Sequence, residues 1–183
     1  MKVVYLVRHA QANFENRDDM SRELSQNGLK DRNKITDYFV NISIDEIYSS
    51  PYKRAIDTIK PCSKNKNLII NLVDDFRERV VGEWVDDFDE FAQKQWNDFS
   101  YKIDGGENLS EVQVRNINAL TEIIKNKDTI IISGHGTSIS TILNFYDSKF
   151  TYANFKKLKM PSIAKLDFDD NLKLIGYNLI DIF

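Results

Sequence analysis

The sequence predicts an α/β fold, a three-layer sandwich in which a mostly parallel central sheet is flanked by helices. Short β-branched runs end in polar loops and lead into stretches with helical apolar spacing, and this unit recurs along the chain. Beyond the last such unit, two alternating apolar runs surround Asp169-Asp170-Asn171, the pattern of a terminal hairpin. A hydrophobic fraction of 42% in 183 residues supplies a core, and a chain of this length buries roughly two thirds of its unfolded surface. A single domain over residues 1–183 is expected, without repeat or linker.

The first strand is Lys2 to Val7, whose run Val3-Val4-Tyr5-Leu6-Val7 is too short for a helix and stops at Arg8-His9. Ser25 is a plausible N-cap for a helix to Val40, with Leu29, Ile35, Tyr38 and Phe39 on one face. Ile44 to Tyr48 reads as a second strand. Pro51 is placed to open a helix through Arg54, Ile56 and Ile59 that closes near Ser63, where Pro61-Cys62-Ser63-Lys64 reads as its end. Leu68 to Val73 is a third strand. From Asp74 to Asp104 the chain is irregular and mixed in charge, and it carries both tryptophans, Trp84 and Trp96. Asp104-Gly105-Gly106 breaks the chain, and Asn108 with Glu111 has capping-box spacing. Leu109, Val112, Ile117, Leu120 and Ile123 then keep helical phase. Thr129 to Ser133 is a strand ending at Gly134-His135-Gly136, followed by a helix through Ile139, Ile142 and Leu143. Met160 to Phe168 and Leu172 to Leu179 form the hairpin.

Lys and Arg total 25 against 28 Asp and Glu, a formal charge of −3 without a basic stripe. A surface that neutralises nucleic-acid phosphates needs clustered cations, so no nucleic-acid partner is expected. No apolar run approaches the roughly 18 to 20 residues that span a bilayer, and Met1 to Arg8 is too short for a signal-peptide core. No membrane partner is expected, and the default compartment is the cytoplasm. One cysteine, Cys62, and two histidines cannot assemble the usual zinc sites. Cys62 reads as a packing or surface thiol.

Ligands of open α/β sheets bind beyond the carboxyl ends of the strands. His9 follows the first strand and His135 the late strand, so adjacent strands bring the imidazoles together. Alone, each histidine reads as a satisfied loop residue. Arg8, however, places a fixed cation at a strand end, where an unpaired guanidinium is costly unless an anion meets it. Arg54 adds positive charge at the start of a helix, an arrangement that an anion would stabilise. Two arginines and two histidines at one sheet edge make an oxyanion receptor.

These residues carry a resemblance. Arg8-His9-Ala10 resembles the Arg-His-Gly hallmark of the histidine phosphatase superfamily, the phosphoglycerate-mutase-like family. Ser50-Pro51-Tyr52-Lys53-Arg54-Ala55-Ile56-Asp57-Thr58 matches its Ser-Pro-x-x-Arg-Ala-x-x-Thr segment. Phe76-Arg77-Glu78-Arg79-Val80-Val81-Gly82-Glu83-Trp84 is similar to Leu-Arg-Glu-x-x-x-Gly-x-Trp, and Gly105-Gly106-Glu107 and His135-Gly136 also fit, in family order. The matches run from residue 3 to about residue 140. Ala10, Gln11 and Glu15 depart from the family pattern, which puts phosphate contacts from the loop at 10–17 in question.

The resemblance implies that His9 is a nucleophile that forms a phosphohistidine, with Arg8, Arg54 and His135 on the phosphoryl oxygens and the Gly136 amide adding to the pocket. A neutral imidazole suits that role once its second nitrogen is fixed, and neighbouring arginines keep it neutral. Glu78 would protonate the leaving group and then activate water. Glu83 and Glu107 are the alternatives for that role, and a salt bridge to Arg77 or Arg79 is the plain reading of Glu78. No metal or other cofactor is implied, since the arginines supply positive charge. The expected function is metal-independent hydrolysis of a small phosphate monoester, by a monomer or homodimer. The alternatives are phosphoglycerate mutase-type phosphoryl transfer and a catalytically silent phospho-ligand binding module. A lid or specificity region is expected at about 84–106. The irregular region Asp86 to Tyr101 and the stretch Tyr146 to Met160 are placed to roof the pocket, with Phe88, Phe91, Trp96, Phe99, Tyr101, Tyr146 and Phe150 packing there or stacking on substrate.

Overall fold

In the computed structural model, which describes Met1–Phe183, six strands form one sheet. They are β1 (Lys2–Arg8), β2 (Glu46–Ser49), β3 (Ile70–Leu72), β4 (Thr129–Gly134), β5 (Ser162–Phe168) and β6 (Leu174–Ile180). The helices are α1 (Gln26–Phe39), α2 (Lys53–Lys66), α3 (Phe88–Asn97), α4 (Leu109–Ile124), α5 (Gly136–Tyr146) and α6 (Tyr152–Lys157), with a 3₁₀ turn at Asp74–Phe76. The strand order is β3-β2-β4-β1-β5-β6. The first four of these are mutually parallel, and the hairpin β5-β6 adds two antiparallel strands. The expected architecture is thus the observed one, and no helix is long and apolar enough to cross a membrane.

Period-two alternation sorts the strand residues between two cores. Val4, Leu6, Ile130 and Ile132 pack with Leu120 and Ile124 of α4 and Ile139, Ile142 and Leu143 of α5. Tyr5, Val7 and Ile131 face the other way, against Ile35 and Phe39 of α1 and Ile59 and Cys62 of α2. Cys62 is therefore a buried thiol, and burial pushes its pKa up to about 11. This leaves it protonated and inert at neutral pH.

The caps expected at two helices are present. The Ser25 hydroxyl accepts from the Gly28 amide, and Asn108 and Glu111 form the reciprocal capping box of α4. Helix α2 departs from its expected bounds. It begins at Lys53 behind the cap Tyr52, leaving Pro51 outside, and it runs through Pro61 to Lys66. Proline at 61 removes the amide that would bond to the Asp57 carbonyl. Arg32 of α1 takes that carbonyl instead, at 2.8 Å, so the helix survives and ends at Asn67 in the left-handed conformation. The region 74–104 is also not irregular throughout. It contains α3, capped by Asp87, whose buried stripe Phe91, Ala92 and Gln95 includes a polar residue. That residue hides the helical apolar spacing.

Candidate active site

The carboxyl ends of β1 and β4 lie side by side, Arg8 opposite Gly134. The residues that follow these strands, His9 and His135, are therefore brought together, with ring centroids 5.3 Å apart. Both imidazoles are buried. The Nδ1 of His9 is 2.7 Å from the Ala10 carbonyl. A carbonyl only accepts, so Nδ1 carries the proton and Nε2 is left as a lone pair. Burial, then the charge of Arg54, pushes the His9 pKa down to about 3, with Arg8 and Arg22 acting the same way. His9 is thus a neutral base of defined tautomer.

Arg54 stands on the first turn of α2, and its Nε donates to His9 Nε2 at 3.3 Å. Its other edges hold Asp19. One Nη donates to the Asp19 carbonyl at 2.5 Å, and the other lies 3.1 Å from the carboxylate. Thr58, one turn after Arg54, donates to the Arg54 carbonyl and accepts from the Ala10 amide, which ties the His9 loop to the same helix. Arg8 crosses the other side of the site. It donates to the Leu158 carbonyl at 2.5 Å, and its Nε is buried without a partner. His135 bonds through Nε2 to the Ser50 hydroxyl at 2.7 Å, while its Nδ1 has no partner. Burial and then Arg54, His9, Arg115 and Arg8 hold His135 well below the usual histidine range. Two neutral imidazoles, two guanidiniums and unpaired N–H groups make a compact receptor for an oxyanion.

The family model for histidine phosphatase superfamily, branch 1, matches residues 4–175. The chain belongs to the histidine phosphatase superfamily. Solved structures of similar shape include mycobacterial glucosyl-3-phosphoglycerate phosphatase complexed with VO3, at TM-score 0.78 and 19% identity over 98% of this chain and 97% of that one. Bacillus stearothermophilus YhfR aligns at TM-score 0.76 and 19% identity, over 95% and 94% of the two chains. Phosphoserine phosphatase of Entamoeba histolytica, in complex with 3-phosphoglyceric acid, aligns at 0.77 and 21%, over 100% and 99%. At these identities the likeness establishes the shared fold. A comparison with curated proteins finds no match.

Glu78 lies beside the start of α5. One carboxylate oxygen accepts from the Thr137 amide at 3.1 Å and the other from the Arg79 amide at 2.8 Å. It makes no salt bridge with Arg77 or Arg79. Glu107, one alternative, is held by Arg77 and Arg115 at 2.8 and 2.9 Å and also accepts from the Val80 amide, so it is occupied in building the loop. Glu83 lies on an exposed turn. Of the aromatic residues expected over the pocket, Phe91 and Phe150 are buried, Trp96 stacks on Phe155 and meets Phe99 edge-on, and Tyr146 packs on Phe168. Tyr101 packs near Phe91. Phe88 is exposed, as is Trp84, which is not among the residues expected there.

Gly136 opens α5 where its amide is free of the helix ladder. A Cβ built on it would lie 3.1 Å from the Arg8 guanidinium, so glycine lets that guanidinium lie flat against the helix start. Gly136→Ala is expected to displace Arg8 by a few tenths of an ångström. Steady-state turnover should fall roughly 10-fold, because small misplacements of a reacting geometry are amplified, while the denaturation midpoint holds or rises, since Ala suits a helix better.

Asp19 joins the site without a signal in the sequence, whereas Ser50 and Thr58, which belong to the matched segment but carry no assigned role there, bond to His135 and to Arg54 and Ala10. Thr58 was legible as one helical turn from Arg54. Asp19 sits in a loop without periodicity, where it also pairs with Arg22 at 3.0 Å.

Proposed function

We propose that this protein is a phosphatase that hydrolyses a small phosphate monoester through a phosphohistidine on His9. The observation that carries this reading is the unprotonated Nε2 of a neutral, buried His9, met only by the Arg54 Nε–H and set among Arg54, Arg8 and His135. An imidazole so placed is a nucleophile whose surroundings are already arranged for the charge it attacks.

In the first step Nε2 attacks phosphorus in line, the N–P bond forms and the bond to the leaving oxygen breaks. The phosphoryl oxygens take over the Arg54 Nε–H that otherwise points at Nε2, and they receive the free N–H of Arg8, the His135 ring and the Gly136 amide. Glu78, fixed by two backbone amides, delivers a proton to the leaving oxygen. In the second step the Glu78 carboxylate takes a proton from water, that oxygen bonds to phosphorus, and the N–P bond breaks to return neutral His9 and phosphate. The positive charge of the arginines stabilises both steps. No cluster of three or more His, Cys, Asp or Glu side chains stands where it could hold a metal ion.

The test is release of inorganic phosphate from a panel of phosphomonoesters with chelator present. Glu78→Gln keeps the size of the side chain and one of the two backbone contacts, since its single amide oxygen can accept from only one of the Thr137 and Arg79 amides, but it cannot cycle a proton. It should lower kcat about 10²- to 10⁴-fold, the usual range for a general acid and base, with the smallest loss on esters whose leaving group needs no proton, such as aryl phosphates. Equal loss on alkyl and aryl esters would remove Glu78 as the acid that protonates the leaving oxygen. Absence of phosphate release from every ester would remove the phosphatase reading.

The segment about 84–106, with α3 at its centre, is assigned as the lid or specificity region of this same chain. Lys156 of α6 pairs with Asp89 at 2.5 Å, which links that region to the stretch before β5.

A further inference from the structure

His135 presents two ring nitrogens but, being neutral, only one proton. Its Nε2 faces the Ser50 hydroxyl at 2.7 Å, and its Nδ1 is buried without a partner. Ser50 is itself completely buried. Its oxygen already accepts the Tyr52 amide at 3.2 Å, and its backbone is pinned to β4 by donation to the Ser133 carbonyl at 2.9 Å.

Counting donors and acceptors decides where the proton sits. If Nε2 carried it, Nε2–H would donate to Ser50 Oγ. The serine hydrogen would then have no acceptor among its bonded neighbours, and the Nδ1 lone pair would face the oxyanion receptor and the Ser138 amide on the first turn of α5. An unmade buried bond of this kind costs on the order of 1 to 3 kcal/mol. If Ser50 instead donates to Nε2, the serine hydrogen is used and Nδ1–H is left, with the Ser138 amide beside it, as a donor that an incoming anion needs. His135 cannot escape the choice by taking a second proton, because Arg54, His9, Arg115 and Arg8 all face it.

We infer that Ser50 is a positioning residue that sets the Nδ1–H tautomer of His135 by donating its hydroxyl hydrogen to Nε2, so that Nδ1–H faces the substrate anion. The proton assignment stands on the hydrogen bonding; its use in anion binding rests on the proposed phosphatase reading. The free amino acid prefers its proton on Nε2, so the Ser50 contact reverses the intrinsic preference.

The protein has only two histidines, so a two-bond ¹H–¹⁵N spectrum of the labelled protein reads both tautomers directly. The expected spectrum of the wild type shows both rings neutral and protonated at Nδ1 at pH 7. In Ser50→Ala, His135 alone should move to the Nε2–H form. Inorganic phosphate, used as the probe, should bind about 10- to 100-fold more weakly, and kcat should fall by a similar factor, less than the 10²- to 10³-fold of a donor removed outright. Ser50→Thr, which keeps the hydroxyl, should restore both. A wild-type His135 protonated at Nε2, or a Ser50→Ala protein with unchanged tautomer and phosphate affinity, would overturn the inference. Should Ser50→Ala not fold, the wild-type spectrum and Ser50→Thr still decide it. Failure of the phosphatase reading shows separately, as no ester turned over while the Nδ1–H spectrum stands.

Discussion

His9→Ala is expected to reduce phosphate release by about 10⁴-fold or more, the scale on which loss of a covalent nucleophile is felt. No acid-labile phosphate should accumulate on the variant when it is quenched during turnover. The fold should tolerate the change, since the ring's bonds are local, to Ala10 and Arg54. It should also alter the acid side of the stability curve in a defined direction. The folded His9 pKa of about 3 lies below the ordinary value of 6.5. As pH falls below 6.5 the unfolded chain takes a proton that the folded one refuses, so stability is lost between about 6.5 and 3. At pH 5 this amounts to about 2 kcal/mol. Urea midpoints at pH 7 and pH 5 should therefore differ less in His9→Ala than in the wild type. A variant that still releases phosphate at more than a hundredth of the wild-type rate would exclude His9 as the nucleophile.

The parts of this molecule legible in the sequence are those governed by local chemistry. Val3 to Val7 and Thr129 to Ser133 are β-branched and apolar, so they declare strands. The strand ends then name His9 and His135, because a parallel sheet gathers the loops at one edge. Asn108 and Glu111 declare a helix start by their spacing alone. The illegible parts depend on distant partners. That α2 continues through Pro61 rests on Arg32 of another helix, and α3 carries Gln95 in its buried stripe because that amide donates to the Tyr101 and Glu107 carbonyls. Glu78 illustrates the boundary. Three carboxylates were eligible in sequence, and tertiary packing separates them: Arg77 and Arg115 engage Glu107, Glu83 stays on an exposed turn, and Glu78 meets the Thr137 amide at the start of α5.

Arg54→Met should lower kcat/KM by at least 10²- to 10³-fold, the loss expected for one fixed donor to a developing oxyanion, with little change of volume at a buried position. Its signature distinguishes it from general damage. Arg54 is the largest charge effect holding His9 neutral, second only to burial, so its removal raises the His9 pKa, and the acid limb of the kcat/KM profile should move to higher pH. Arg54→Lys should not rescue the rate. One Arg54 edge meets His9 while two others meet the Asp19 carbonyl and carboxylate, and an ammonium on a flexible stem cannot reproduce that planar fork. Lysine does retain the charge, however, so in Arg54→Lys the acid limb should stay near its wild-type position even as the rate falls. Charge and geometry are thereby read out separately. A profile that moved equally in both variants would show that the planar fork, rather than the charge of Arg54, keeps His9 neutral.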